Sequence, residues 1–106
     1  MEAAEFAERA EQALARIEAA LEESGIDADV ELKEGGVMEI EHANGARMVI
    51  NRHAVAKEIW VAARSGGHHF RWDGAAWRDT RDGAELFAAL SRLVSAESGR
   101  GVVLKP

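Results

Sequence analysis

The sequence contains no cysteine. On its own the chain can therefore form no disulfide framework, no thiolate zinc site, no thiolate-held cluster and no cysteine nucleophile. Long apolar runs are missing too: the longest, such as residues 59–63, reach five residues, far short of the ~20 a membrane helix needs. The N-terminal stretch carries Glu2 and Glu5 where a secretory leader would carry basic residues and then an apolar run, so a cytoplasmic protein is expected. There is only one proline, and there is no internal repeat, low-complexity segment or linker. What is present is 106 residues, 47% of them apolar and 30% charged, the composition of one soluble domain spanning residues 1–106.

The formal net charge of -6 is unevenly spread. Residues 1–41 hold thirteen acids against Arg9, Arg16 and Lys33, a balance of -10, whereas residues 42–106 hold six acids and ten bases, a balance of +4. One end of the molecule should attract cations or basic proteins, and the other tolerates anions.

Phe6, Ala10, Leu14, Ile17 and Leu21 recur at three- and four-residue spacings, which predicts a helix over 3–24 that stops at Ser24-Gly25. The period then becomes two. Strands are expected at 29–33, with Val30 and Leu32 entering the core, at 37–42 after Gly35-Gly36, and at 47–51 after the hairpin signal Asn44-Gly45. A fourth strand at 59–64 is expected to turn at Gly66-Gly67 into a fifth at 68–73, where His68, Phe70 and Trp72 share one face. A short sixth follows around Trp77. Leu86, Phe87, Leu90, Leu93 and Val94 predict a second helix ending near Ser98-Gly99, and residues 102–104 either pack between elements or extend the sheet edge. This order predicts an α+β two-layer sandwich, with two helices on one face of an antiparallel sheet of about six strands.

The first helix carries its acids in a pattern. At about 100° per residue Glu11, Glu18 and Glu22 fall in one narrow sector with Glu8 close by, although like charges at i,i+4 cost ~0.2–0.5 kcal/mol per pair. Asp27, Asp29 and Glu31 continue the series onto the first strand, with Asp29 and Glu31 pointing away from the core. Such an open, oxygen-only ridge suits hard cations weakly. A solvated face that keeps the protein soluble, a metal site and a docking surface for a basic protein are all consistent with it.

Trp60 opens a strand after a short polar loop, which marks it as partly exposed and a candidate interface anchor; Val61 and Ala63 are expected on its face, with Ile59 and Ala62 opposite. His68 and His69 point to opposite faces, and His42 and His53 lack partners at ligand spacing, so all four histidines are expected at packing or surface positions. Gly35-Gly36 and Gly66-Gly67 precede no helix and so make no phosphate loop, and no serine has an elbow motif or a partnered histidine. Arg64, Arg71, Arg78 and Arg81 form at most a sheet stripe with Phe70 and Trp72 nearby, so no nucleic-acid or membrane partner is expected.

The run Val49-Ile50-Asn51-Arg52-His53, then Ile59-Trp60-Val61-Ala62, then Ser65-Gly66-Gly67-His68-His69-Phe70-Arg71-Trp72 resembles the frataxin family, in its bacterial CyaY branch. The acidic first helix, Asp27-Ala28-Asp29-Val30-Glu31 and the segment 79–83 extend the likeness over the whole chain. The resemblance implies a non-catalytic regulator of iron-sulfur cluster assembly that binds Fe²⁺ or Fe³⁺ weakly and docks on the cysteine desulfurase and the scaffold protein. An acidic interaction module whose iron binding is incidental, and an iron storage or ferroxidase protein, are the alternatives. By position it implies an iron ridge of Glu18, Glu22, Glu23, Asp27, Asp29 and Glu31, extended by Glu11 and Glu8. It further implies a partner surface of Asn51 and Trp60 together with Glu18 and Glu22, and a monomer by default with metal-dependent oligomers. The chain departs from the family where Gln and then a Pro two residues later usually follow Asn-Arg: here stand His53-Ala54-Val55, and Glu58 replaces a frequent Gln.

Overall fold

The computed structural model describes residues 1–106. Helix α1, Ala3–Ser24, buries Phe6, Ala10, Ala13, Leu14, Ile17, Ala20 and Leu21, the predicted stripe widened by alanines. Gly25 ends it in the left-handed region (φ 69°), its N–H donating to the Glu22 carbonyl, a conformation that is cheap only without a Cβ.

Six strands follow: β1 Ala28–Lys33, β2 Val37–His42, β3 Arg47–His53, β4 Glu58–Ala63, β5 Gly66–Trp72 and β6 Trp77–Asp79. They form one sheet in the order β1-β2-β3-β4-β5-β6, antiparallel throughout, because every connection is a turn too short for a crossover. Helix α2, Leu86–Ser98, starts at Glu85, whose carboxylate accepts from the Phe87 and Ala88 N–H groups at 2.8 and 3.0 Å. Both helices cover the same sheet face. Met38, Ile40, Met48, Ile50, Ile59, Val61, Phe70 and Trp77 point inward from the strands and share one buried cluster with the apolar stripes of α1 and α2.

Three expectations are corrected. Gly66-Gly67 does not form the β4–β5 turn: Arg64 and Ser65 do, and the glycines open β5, paired with Ala63 and Ala62. Strict alternation puts Ile59, Val61 and Ala63 on the core face and Trp60 with Ala62 on the outer face, so Val61 and Ala63 lie opposite Trp60. Leu32 does not enter the core. It is 46% exposed, at the end of an edge strand beyond the area the helices cover.

The C-terminal segment packs between elements and adds no strand. Val102 and Leu104 are buried in the core cluster, and two α2 serines hold their backbone. Ser95 Oγ accepts from the Val102 N–H and Ser91 Oγ from the Leu104 N–H, both at 2.8 Å. In the β3–β4 loop, where the family pattern has proline, His53 Nδ1 accepts from the Ala56 N–H at 3.1 Å and Lys57 adopts φ 56°.

Candidate functional site

The acids singled out in the sequence lie around one edge of the molecule, in two groups. Glu11, Glu18 and Glu22 run along the flank of α1, with Glu18 and Glu22 at the lip of a groove that Leu21, Ile26, Ala28 and Val30 floor. Asp29 and Glu31 project from the outer face of edge strand β1 and pair across the ladder with Glu41 and Glu39. Asp27 lies in the bend between the two groups. Glu8 and Glu23 sit on α1 at about 40° and 100° respectively from Glu22 on a helical wheel, so Glu23 is turned well away from the sector.

None of these eight carboxylates has a base within 4.0 Å. Glu39, by contrast, has two: Lys33 and Arg47, each at 3.1 Å. The hydrogen bond from Lys33 leads in holding its carboxyl below the usual range. The sheet thus neutralises its inner acid and leaves the rim uncompensated. No three acid or histidine side chains converge closely enough to hold one ion, so a cation on this rim would keep much of its hydration shell. Glu39 and Glu41 were not marked as site residues from sequence; their register opposite Glu31 and Asp29 is what adds them to the patch.

A separate cluster lies on the outer face of β3, β4 and β5. Asn51 and Trp60 are directly paired across β3 and β4, so the two positions implied as a partner surface are neighbours. Trp60 is sandwiched between His53 (ring centroids 3.8 Å apart, planes at 14°) and His69 (4.4 Å, 10°). Its indole Nε1 donates to Glu58 Oε1 at 2.9 Å, and Arg71 holds Glu58 Oε2 at 2.6 Å. Burial alone would raise the Glu58 carboxyl, but hydrogen bonds from Trp60 and Arg71 and the positive charge of Arg71 outweigh it and leave it lowered. The stack could have been read from alternation, since His53, Trp60 and His69 fall on one face once β4 is phased correctly. Of the four arginines of the expected stripe, Arg71 and Arg78 stand side by side, while Arg64 reaches Glu97 of α2 at 3.5 Å.

His42 ends β2 almost fully buried, at 4% exposure, with Nε2 lacking any hydrogen-bond partner. Burial lowers its pKa; Glu97 opposes the shift and Arg64 adds to it. His68 faces Asp79 with 3.5 Å between Nδ1 and Oδ2. No helix is long and apolar enough to cross a membrane.

Comparison with known proteins places this geometry among relatives. A profile of the frataxin-like domain matches residues 1–100. The chain is 60% identical over 105 residues to the iron-sulfur cluster assembly protein CyaY of Dechloromonas aromatica, covering 99% of this chain and 100% of that one. It is 50% identical over 103 residues to the protein of the same name from Cupriavidus necator, covering 94% and 93%. Among solved structures, frataxin from Psychromonas ingrahamii superposes with a TM-score of 0.91 at 30% identity over the full length of both chains. A trimeric yeast frataxin from Saccharomyces cerevisiae, complexed with ferrous, gives a TM-score of 0.73 at 30% identity, covering 86% of each chain.

Proposed function

The chain belongs to the frataxin family, and on that footing we propose that it serves iron-sulfur cluster assembly as a non-catalytic regulator. In this reading it carries Fe²⁺ or Fe³⁺ loosely as cargo and docks on the cysteine desulfurase and its scaffold protein in the cytoplasm. The observation that carries it is the rim of carboxylates without counter-charges: Glu18 and Glu22 on α1, Asp27 in the bend, and Asp29 and Glu31 on β1. Carboxylates left unpaired while Glu39 beside them is paired twice keep their full charge for an external partner, and charge exposed this way steers association with a basic surface.

Oxygen donors that do not converge bind hard cations weakly and exchange them quickly, which suits a protein that passes iron on. The same lack of convergence favours a second reading, in which the rim is chiefly a docking surface and iron binding is incidental. Asn51 and Trp60, whose ring lies between His53 and His69, add a polar and aromatic contact on the outer sheet face.

Anaerobic Fe²⁺ titration followed by amide shifts separates the two readings when combined with a desulfurase assay. Under the first, residues 18–31 shift first, and iron changes the protein's effect on sulfur transfer; the triple variant Glu18→Gln, Glu22→Gln, Asp29→Asn loses both desulfurase binding and that iron response. Under the second, the variant loses binding, but iron leaves the wild-type effect unchanged. Uniform shifts along the chain, with binding intact in the variant, would overturn both.

A further inference from the structure

The bases of α1 are as unevenly placed as its acids. Arg9 and Arg16 are the helix's only bases. They lie seven residues apart, so they share one face about 10.5 Å apart along the axis. That face flanks the buried stripe on the side away from Glu11, Glu18 and Glu22. Between it, the β5–β6 turn and the start of α2 is a cleft of about 450 Å³, lined by Arg9, Arg16, Trp72, Trp77, Phe87 and Pro106 among others. A volume of this size accommodates a small organic ligand.

Its walls are specific in chemistry. Two of the three tryptophans of the chain meet here, edge to face at 5.6 Å between centroids. The Arg9 guanidinium lies over Trp72 at 4.5 Å from the ring centroid, held there by Glu5 at 3.0 Å. Glu85 also borders the cleft, but its two carboxylate oxygens are occupied by the Phe87 and Ala88 N–H groups. Arg16 has no carboxylate within 4.0 Å. Among the side chains of the cleft the one uncommitted charge is therefore a guanidinium, a fork shaped to grip a carboxylate; the terminal residue Pro106 also lines the cleft, and its carboxylate is not paired with Arg16.

We propose that this cleft binds a small planar aromatic carboxylate, its ring against the half-buried Trp72, which Trp77 backs from the core, and its carboxylate on Arg16. The site is separate from the acidic rim, and its existence does not depend on what the rim does.

Indole-3-acetate is the probe, with indole-3-acetamide as its uncharged counterpart, each titrated into the ¹⁵N-labelled chain. The acetate should shift amides within 9–16 and 72–77 and that of Phe87, and bind about tenfold more tightly than the amide, the size expected for one charge-assisted contact. Arg16→Gln should remove that preference. Because Arg16 is exposed and unpaired, the thermal midpoint should stay unchanged, which shows that the variant remains folded. Equal affinity for the two probes, shifts scattered over other surfaces, or an Arg16→Gln protein that still prefers the acetate would each overturn the proposal.

Discussion

His42 sits at the end of β2 with its imidazole out of water and Nε2 unpaired, an arrangement tolerable only for the neutral ring. Its folded pKa is lowered from 6.5, chiefly by burial. As the pH falls below that value, the unfolded chain takes up the proton first, and folding stability drops until the pH has passed the folded pKa. The stability is thus present above pH 6.5 and lost on the acid side. Urea midpoints measured from pH 7 down to pH 5 should fall for the wild type and fall less steeply for His42→Leu; parallel profiles would show that His42 is not the group responsible. Alternation already puts His42 in phase with Met38 and Ile40; what the sequence does not give is how deeply it is buried where β2 ends. Trp60 was legible as a half-exposed strand residue. Its stacking partners His53 and His69 follow from alternation only when β4 is phased correctly, since an error of one residue in strand phase exchanges both faces.

Among the elements, α2 and the C-terminal segment form one unit. Ser91 and Ser95 are one turn apart, and each hydroxyl accepts a backbone N–H from the segment, so this stretch of backbone is paired without joining the sheet. Removing residues 102–106 takes away both bonds and the burial of Val102 and Leu104. A loss of about 3–6 kcal/mol is expected from the two side chains alone, read as a lowered denaturant midpoint; Ser95→Ala should cost about 1 kcal/mol. A truncated chain as stable as the full one would contradict this packing. Both helices and β1, β2 and β5 could be read from their apolar periods, because burial on one side imposes those periods directly; β3 and β6 showed through the turns at Asn44-Gly45 and Gly74, and β4 through a nearly continuous apolar run. The path of the segment could not: two apolar residues at i and i+2 fit a strand as well as a strap, and only the serine spacing on α2 distinguishes them. The β4–β5 turn was misplaced for a related reason. Gly66-Gly67 carries the usual turn signal, yet here it lies inside the ladder, with Gly66 at φ 132°.

Across the whole molecule the acidic half of the charge division read from the sequence becomes spatial. The unpaired acids lie on the α1 flank and the β1 edge, whereas toward the opposite edge of the sheet Arg71 and Arg78 are paired with Glu58 and Asp73. One-sided negative charge of this kind orients the molecule before contact. Association with a basic partner should therefore slow by about tenfold or more between 50 and 500 mM salt, as screening shortens the reach of the field, while dissociation changes less. Stopped-flow rates measured over that range decide the point, and a salt-independent association rate would remove electrostatic steering from the account. The ridge as a set of residues was visible in the sequence from helical and strand periods. Its division between two layers, and its lack of a converging ligand set, became visible only in three dimensions.

The outward side of β1 has one more consequence. As the first strand of an open sheet, it presents unpaired N–H and C=O groups on which another chain could add a strand. Asp29 stands directly opposite Glu41 with no base paired to either, and like charges facing each other across a ladder weaken it. That internal weakness is also a guard. A second copy laid edge to edge would bring its own Asp29 and Glu31 alongside the first, and the repulsion would grow with every residue of shared register. Whatever docks on them, these carboxylates keep the most exposed ladder of the fold from being extended by its own kind.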